Sequence, residues 1–230
     1  MAPLSTPFYQ RRTEDVAKDL LGRLLCTRGP AGLTVGRIVE TEAYTDDDPA
    51  SHSYGRRKAH AGGDEVGRSW VMFGPPGRAY VYRSYGIHAC FNVVTEEEGR
   101  GCAVLIRALK PLLGLARMAE RRFPNKEAWR TVDLCGGPGR LTQAMGITVE
   151  EHNGLRLDDT AGPVAILEED DTLDGRIGEE YVEEEYGRVA VSQRIGITKG
   201  VEASRRFFFD KCRFVSGSRP KQLKGRRAPR

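Results

Sequence analysis

Alternation and periodicity along the chain predict one long strand among short helices and strands. Leu33 to Tyr44 is a β-prone run in which period two sets Glu40, Glu42 and Tyr44 on one face and Val39, Thr41 and Ala43 on the other. Before it, Val16, Ala17, Leu20 and Leu21 form the apolar stripe of a helix. Thr13 is expected to cap that helix, Glu14 and Asp15 to suit its dipole, and Gly22 to end it. Leu24 to Cys26 reads as a short strand, joined to the long one by a turn at Gly29-Pro30-Ala31-Gly32. Thr45 to Trp70 is polar, glycine-punctuated and aperiodic, the pattern of a long loop. Gly74-Pro75-Pro76-Gly77 is a tight turn joining Val71-Met72-Phe73 to Ala79-Tyr80-Val81-Tyr82; it lacks the Gly-Lys-Ser/Thr that would hold a nucleotide.

Ala103 to Leu109 reads as a strand, and Leu112 to Phe123 as a helix with a basic outer face at Arg117, Arg121 and Arg122. Pro138 opens a second short helix that Gly146 stops. Val164 to Leu167, Arg188 to Val191 and Phe207 to Phe214 are further strands. The expected fold class is α+β: a single domain, residues 1–217, with a curved, mostly antiparallel sheet flanked by short helices. A basic tail, 218–230, is disordered by composition.

Composition narrows the class without deciding function. A chain of 230 residues can bury one good core. No apolar run approaches bilayer length and the first residues lack a signal peptide's apolar centre, so an intracellular protein is expected, with no membrane partner. Five widely spaced cysteines (26, 90, 102, 135 and 212) in apolar surroundings predict reduced, buried thiols, and with no Cys-x-x-Cys no structural metal is expected; no cofactor is expected either. The net charge is +4, with acids clustered at Asp46 to Asp48, Glu168 to Asp171 and Glu179 to Glu185. Bases gather at Arg56-Arg57-Lys58 and from Arg219 onward, which is compatible with a polyanion partner or with a merely solubilising end.

The chemistry-bearing groups are few. Two carboxylates and a phenol on one strand face form either a solvated face or the wall of a pocket. Tyr80 and Tyr82 share a face, and Tyr85 precedes Gly86, so Tyr85 is either one more sheet-packing aromatic or a wedge pushed outward by a turn. Arg107, between Ile106 and Ala108, is expected to meet an anion. The glycines before Pro138 leave amides that offer a weak phosphate-binding signal. His52 stands alone in its loop, where a histidine is more often a hydrogen-bonding group than a metal ligand. A carboxylate that activates water, an arginine that fixes it and aromatics that stack on a flat ring suit hydrolysis of a bond between nucleobase and sugar.

The segments Val39 to Tyr44, Ala50-Ser51-His52, Met72 to Gly77, Tyr80-Val81-Tyr82, Tyr85-Gly86, Asn92, Leu105 to Leu109 and Leu134-Cys135-x-Gly137-Pro138 resemble, in order, the alkyladenine (3-methyladenine) DNA glycosylases. The likeness runs from about Pro7 to Val215. It implies a monofunctional enzyme that flips damaged purines out of duplex DNA, acts as a monomer and starts base excision repair. Glu42 would be the general base and Arg107 would position the attacking water. Tyr44 and Tyr82 would stack on the flipped base, with the backbone of His52 bonding to it. Asn92 would crowd the amine of undamaged guanine, and Tyr85 would fill the gap left in the duplex. Backbone near Arg194-Ile195-Gly196 would help to close the pocket. The loop between His52 and Met72 is longer than the family's, and Gly67-Arg68-Ser69-Trp70 replaces a Thr-Pro-Arg-Asn-like segment, which leaves lesion preference open. Competing readings are a non-catalytic nucleic-acid binding module and a hydrolase of free nucleosides. A lysine-dependent lyase is disfavoured because no pocket lysine stands out.

Overall fold

Within the computed structural model, residues 2–57, 60, 67–168 and 186–217 are described. Strand β1 (Leu24–Gly29) and β2 (Gly32–Tyr44) form a hairpin whose turn pairs Gly29 with Gly32, where the sequence places it; β1 runs longer than expected. Next come β3 (Ala79–Ser84), β4 (His88–Thr95), β5 (Cys102–Leu113), β6 (Val164–Leu167), β7 (Val189–Ser192) and β8 (Arg206–Phe209). They build one 8-stranded sheet in the order β3-β4-β5-β2-β1-β6, with β7 and β8 branching from β2. Every pairing between these strands is antiparallel. Helices α1 (Thr6–Tyr9), α2 (Thr13–Asp19), α3 (Leu115–Arg122), α4 (Pro138–Met145) and α5 (Val149–His152) are short, and the α+β expectation holds.

β2 is the hub because it changes partner along its length. On one edge residues 32–37 pair with β1 while Glu40 to Glu42 pair with β8; the other edge follows β5 throughout. The register with β5 slips on either side of Glu40: Ile38 faces Leu109, Glu40 faces Ala108 and Thr41 faces Ile106, so Val39 and then Arg107 is left unpaired. Such bulges bend a strand and re-aim its side chains.

One sheet face packs against helices. Val16, Ala17 and Leu20 of the α2 region, Met118 of α3 and Leu141 and Ala144 of α4 close over Ala43, Val81, Phe91, Val104 and Ile106 in one buried cluster. Each fully buried apolar side chain contributes roughly 1.5–3 kcal/mol. The Thr41 hydroxyl adds a tie, donating to the Ala17 carbonyl at 2.7 Å. The opposite face, with Glu40, Glu42, Leu105, Arg107 and Asn92, is left to the polar cleft described below.

Several local expectations need correction. Arg12, not Thr13, takes the cap position of α2; the Thr13 hydroxyl is drawn instead to Glu96 at 2.5 Å, a tertiary contact that outbids the local cap. Leu112 and Leu113 belong to β5, and the helix starts only after Gly114, whose φ of +80° turns the chain. Arg117, Arg121 and Arg122 are not a free basic face, since they donate to the carbonyls of Leu33, Ala144 and Leu134. A 3₁₀ helix covers Gly67–Phe73, and the strand expected to reach Phe214 stops at Phe209. The five cysteines are free and buried, as expected. No helix among the described residues is long and apolar enough to cross a membrane. Lys58, most of the acidic stretch after Glu168 and the tail 218–230 lie outside the described residues.

Phe91 on β4 is fully buried in this cluster, on the strand that carries Cys90 and Asn92 to the opposite face. Phe91→Ala is expected to destabilise the fold by about 3–5 kcal/mol in urea unfolding. A change below 1 kcal/mol would mean that the helices do not close over β4 as described.

Candidate active site

The fork in β2 leaves two carboxylates inside the protein. Glu40 and Glu42 are both 0% exposed. Buried charges persist only when paired and hydrogen-bonded, and here two flanking strands each supply an arginine. Arg107 of β5 donates from Nε to Glu40 Oε1 at 3.0 Å, from Nη1 to Glu42 Oε2 at 3.2 Å and from Nη2 to Ser216 Oγ at 3.3 Å. Arg206 of β8 donates from Nε to the same Glu40 oxygen at 2.7 Å, while Glu40 Oε2 accepts the Ser216 amide at 2.6 Å. The sequence therefore rightly expects an anion at Arg107, but it names neither Arg206 nor Ser216.

Glu42 has three donors. Its Oε2 accepts the Tyr44 hydroxyl at 2.9 Å as well as Arg107, and its Oε1 accepts the Ile195 amide at 2.8 Å. A carboxylate has about four lone-pair positions, so one on Oε1 is left to accept a further hydrogen bond. Burial is the strongest influence on Glu42 and raises its pKa; Arg107, the Ile195 amide and Tyr44 act against it, and Glu40 adds to the rise. For Arg107 burial opposes the charge, but Glu42 and Glu40 outweigh it and its pKa rises. The result is a carboxylate of increased basicity beside a permanent cation.

Tyr44, Arg107 and Ile195, the three groups that hold Glu42, line a cleft of about 610 Å³. His52, Tyr82, Asn92 and Tyr85 line it as well, so six of the seven site residues expected from the sequence line one cleft, with the seventh, Glu42, just beneath the wall. Tyr80 and Tyr82 stack with ring centroids 5.4 Å apart, and the His52 ring stands edge-on to Tyr82 at 4.5 Å. Arg68 donates to His52 Nε2 at 3.2 Å; since Arg can only donate, the imidazole proton sits on Nδ1, bonded to the Tyr80 oxygen at 2.9 Å. Burial first, then the Arg68 and Arg56 charges, push His52 down to about 4. Asn92 donates its amide to the carbonyls of Tyr80 and Cys90, which fixes the plane of its side chain at the cleft wall.

Arg194 is a residue that spacing alone does not single out. Its guanidinium lies over the Tyr44 ring, 4.6 Å from the centroid, and is gripped by Asp48, Ala43 O and Gly200 O. That grip also sets the next amide, Ile195, on Glu42. Lys199 stands at the exposed rim of the cleft, contrary to the expectation that no lysine is near. Tyr85 is 93% exposed. It and Gly86 have φ values of +50° and +72°, and Ile87 N donates to Ser84 O, the backbone of a hairpin turn with two left-handed residues.

A family model described as methylpurine-DNA glycosylase (MPG) matches residues 7–213. Among curated proteins, one from Rhodopseudomonas palustris (strain HaA2) is 46% identical over 214 residues, 93% of this chain and 90% of its own length. One from Salinibacter ruber is 45% identical over 223 residues, covering 96% and 99%. One from Methanoculleus marisnigri is 45% identical over 214 residues, covering 93% and 98%. Each of the three carries the description "Putative 3-methyladenine DNA glycosylase".

The low pKa of His52 has a signed consequence. Between the ordinary 6.5 and about 4 the unfolded chain binds a proton that the folded chain refuses, so stability rises with pH across that window and is lost as pH falls through it. His52→Gln is expected to flatten the pH dependence of stability there, and NMR titration of the imidazole to give a midpoint near about 4. A midpoint at 6.5 would mean that the ring is not withdrawn from water beside Arg68 and Arg56 in solution.

Proposed function

Since the chain belongs to the methylpurine-DNA glycosylase family, we propose that it excises alkylated purines from duplex DNA by hydrolysing the N-glycosidic bond. The fully buried Glu42 carboxylate, with one acceptor position open beside a cleft walled by Tyr44, His52 and Tyr82, carries this reading. The damaged nucleotide swings out of the helix, and its base enters between the two tyrosines. A purine alkylated on a ring nitrogen is cationic and flat, and electron-rich phenol faces favour it; each stacked base contributes about 1–3 kcal/mol.

Glu42 takes a proton from a water as the water oxygen bonds to C1′ of the sugar. The bond from C1′ to the base breaks, and its electron pair leaves with the purine, cancelling the ring's positive charge. Little acid help is needed for such a leaving group. Arg107 holds Glu42 and borders the cleft, and the carboxylate stabilises the oxocarbenium-like sugar. Asn92, fixed at the wall, limits the space for an exocyclic amine at that edge. Tyr85, exposed on its hairpin, enters the duplex in place of the extruded nucleotide. The left-handed conformation of Tyr85 belongs to its two-residue hairpin turn, which projects the ring outward where a duplex can meet it.

Glu42→Gln is expected to lower base release from a duplex carrying a single alkylated purine by about 10²–10⁴-fold, while binding of that duplex stays within a few-fold of wild type. Release at the wild-type rate would remove Glu42 from the mechanism, and binding without release by the wild type would leave a nucleic-acid binding module. Tyr85→Ala is expected to impair release from duplex and to leave any hydrolysis of free nucleosides unchanged. With Lys199 at the rim, borohydride should trap no covalent adduct; trapping would indicate a lyase instead.

A further inference from the structure

Glu40 has no role in the mechanism above, yet it is fully buried and as heavily bonded as Glu42. Its two oxygens accept Arg107 Nε, Arg206 Nε and the Ser216 amide at 3.0, 2.7 and 2.6 Å. It sits two residues before Glu42 on the same face of β2, and its grip on the Nε edge of Arg107 turns Nη1 toward Glu42. Arg107 also lies in a β-bulge, where ladder pairing does not fix its backbone; its side chain is held by Glu40, Glu42 and Ser216. We infer that Glu40 is a positioning residue for base release: it aims Arg107 at Glu42 and sets a second buried carboxylate two residues from it on the same strand face.

This rests on the general-base role proposed for Glu42. The charged and titratable groups facing Glu42 are Arg107 from β5, Cys90 from β4, Arg194 from the loop after β7, and Tyr44 and Glu40 from its own strand; Arg206 of β8 is spent on Glu40. Within that set Glu40 is the neighbour that opposes ionisation of Glu42 from β2 itself, and Arg107 the one that favours it most. Neutralising Glu40 removes the repulsion and frees more of Arg107's charge for Glu42, so both effects act in one direction.

The test is the pH dependence of single-turnover base release from a duplex with one alkylated purine, using the full chain. Glu40→Gln is expected to move the acidic limb to lower pH and to lower the plateau rate roughly 10- to 100-fold, with duplex affinity unchanged. Glu40→Asp keeps the charge but falls a methylene short; its limb is expected to stay at the wild-type pH while its rate falls. A purely structural Glu40 would change the thermal midpoint of both variants without moving the limb of either. Wild-type limb and rate in Glu40→Gln overturn the inference. Should that variant not fold, a wild-type rate in Glu40→Asp overturns it as well. A wild-type enzyme with no acidic limb would overturn the general-base role and this inference together, whereas an intact limb that Glu40→Gln leaves in place overturns this inference alone.

Discussion

Four charges buried at the fork of β2 govern the rest of the molecule. Two carboxylates, Glu40 and Glu42, and two guanidiniums, Arg107 and Arg206, are withdrawn from water and close on one another through three hydrogen bonds, with the Ser216 hydroxyl and amide adding two more. Breaking such a set by removing one member leaves an uncompensated charge, at about 3–5 kcal/mol. The strands must therefore be arranged so that β5 delivers one arginine and β8 the other, and the bulges that interrupt the β2–β5 ladder are the geometric result. Fold and site answer to the same constraint: the ladder gives up regular pairing around Glu40 so that Arg107 can turn into the polar face.

The same constraint separates rigid parts from adaptable ones. Glu42 is held from three directions by a strand neighbour, an arginine and a loop amide, and the loop amide is itself fixed because Arg194 is gripped by Asp48 and stacked on Tyr44. Burial works against the Asp48 charge, and Arg194, the Ala50 amide and Arg205 outweigh it, holding that carboxyl below its ordinary range. Each layer braces the next, which is what a group placed for chemistry to within about 0.5 Å requires. The groups proposed to meet DNA lie outside this bracing, on the exposed Tyr85 hairpin.

Local features of the site were legible in the sequence. The period-two pattern of β2 puts Glu40, Glu42 and Tyr44 on one face, and all three meet at the cleft or directly beneath it. Tyr80 and Tyr82 share a face for the same reason, and Gly146, in the left-handed region at φ +71°, ends α4 as expected. Tertiary partners were not legible in the local pattern, and only the family resemblance pointed to the backbone near Ile195. Ile195 reaches Glu42 across 153 residues and Ser216 reaches Glu40 across 176, and no local period records such contacts. Arg107 stands out in the apolar run Ala103 to Leu109, but nothing local in that run says that the ladder slips there. Thr13 was misread as a cap because its local preference is overruled by Glu96, a residue 83 positions away.

The electrostatics of the cleft also bear on which bases it can release. Hydrolysis needs the purine to leave with an electron pair, so the base must either carry positive charge already or receive a proton in the cleft. His52, bonded through both ring nitrogens and pushed down to about 4, is neutral near pH 7 and its one N–H is committed to Tyr80. Burial raises the pKa values of Tyr44 and Tyr82 well above their ordinary range, so neither phenol is an acid of useful strength. Glu42 is committed as acceptor to three donors. On the proposed mechanism the walls around Glu42 therefore favour purines that alkylation has already made cationic, and chemistry done to the DNA beforehand replaces the general acid that these side chains do not supply.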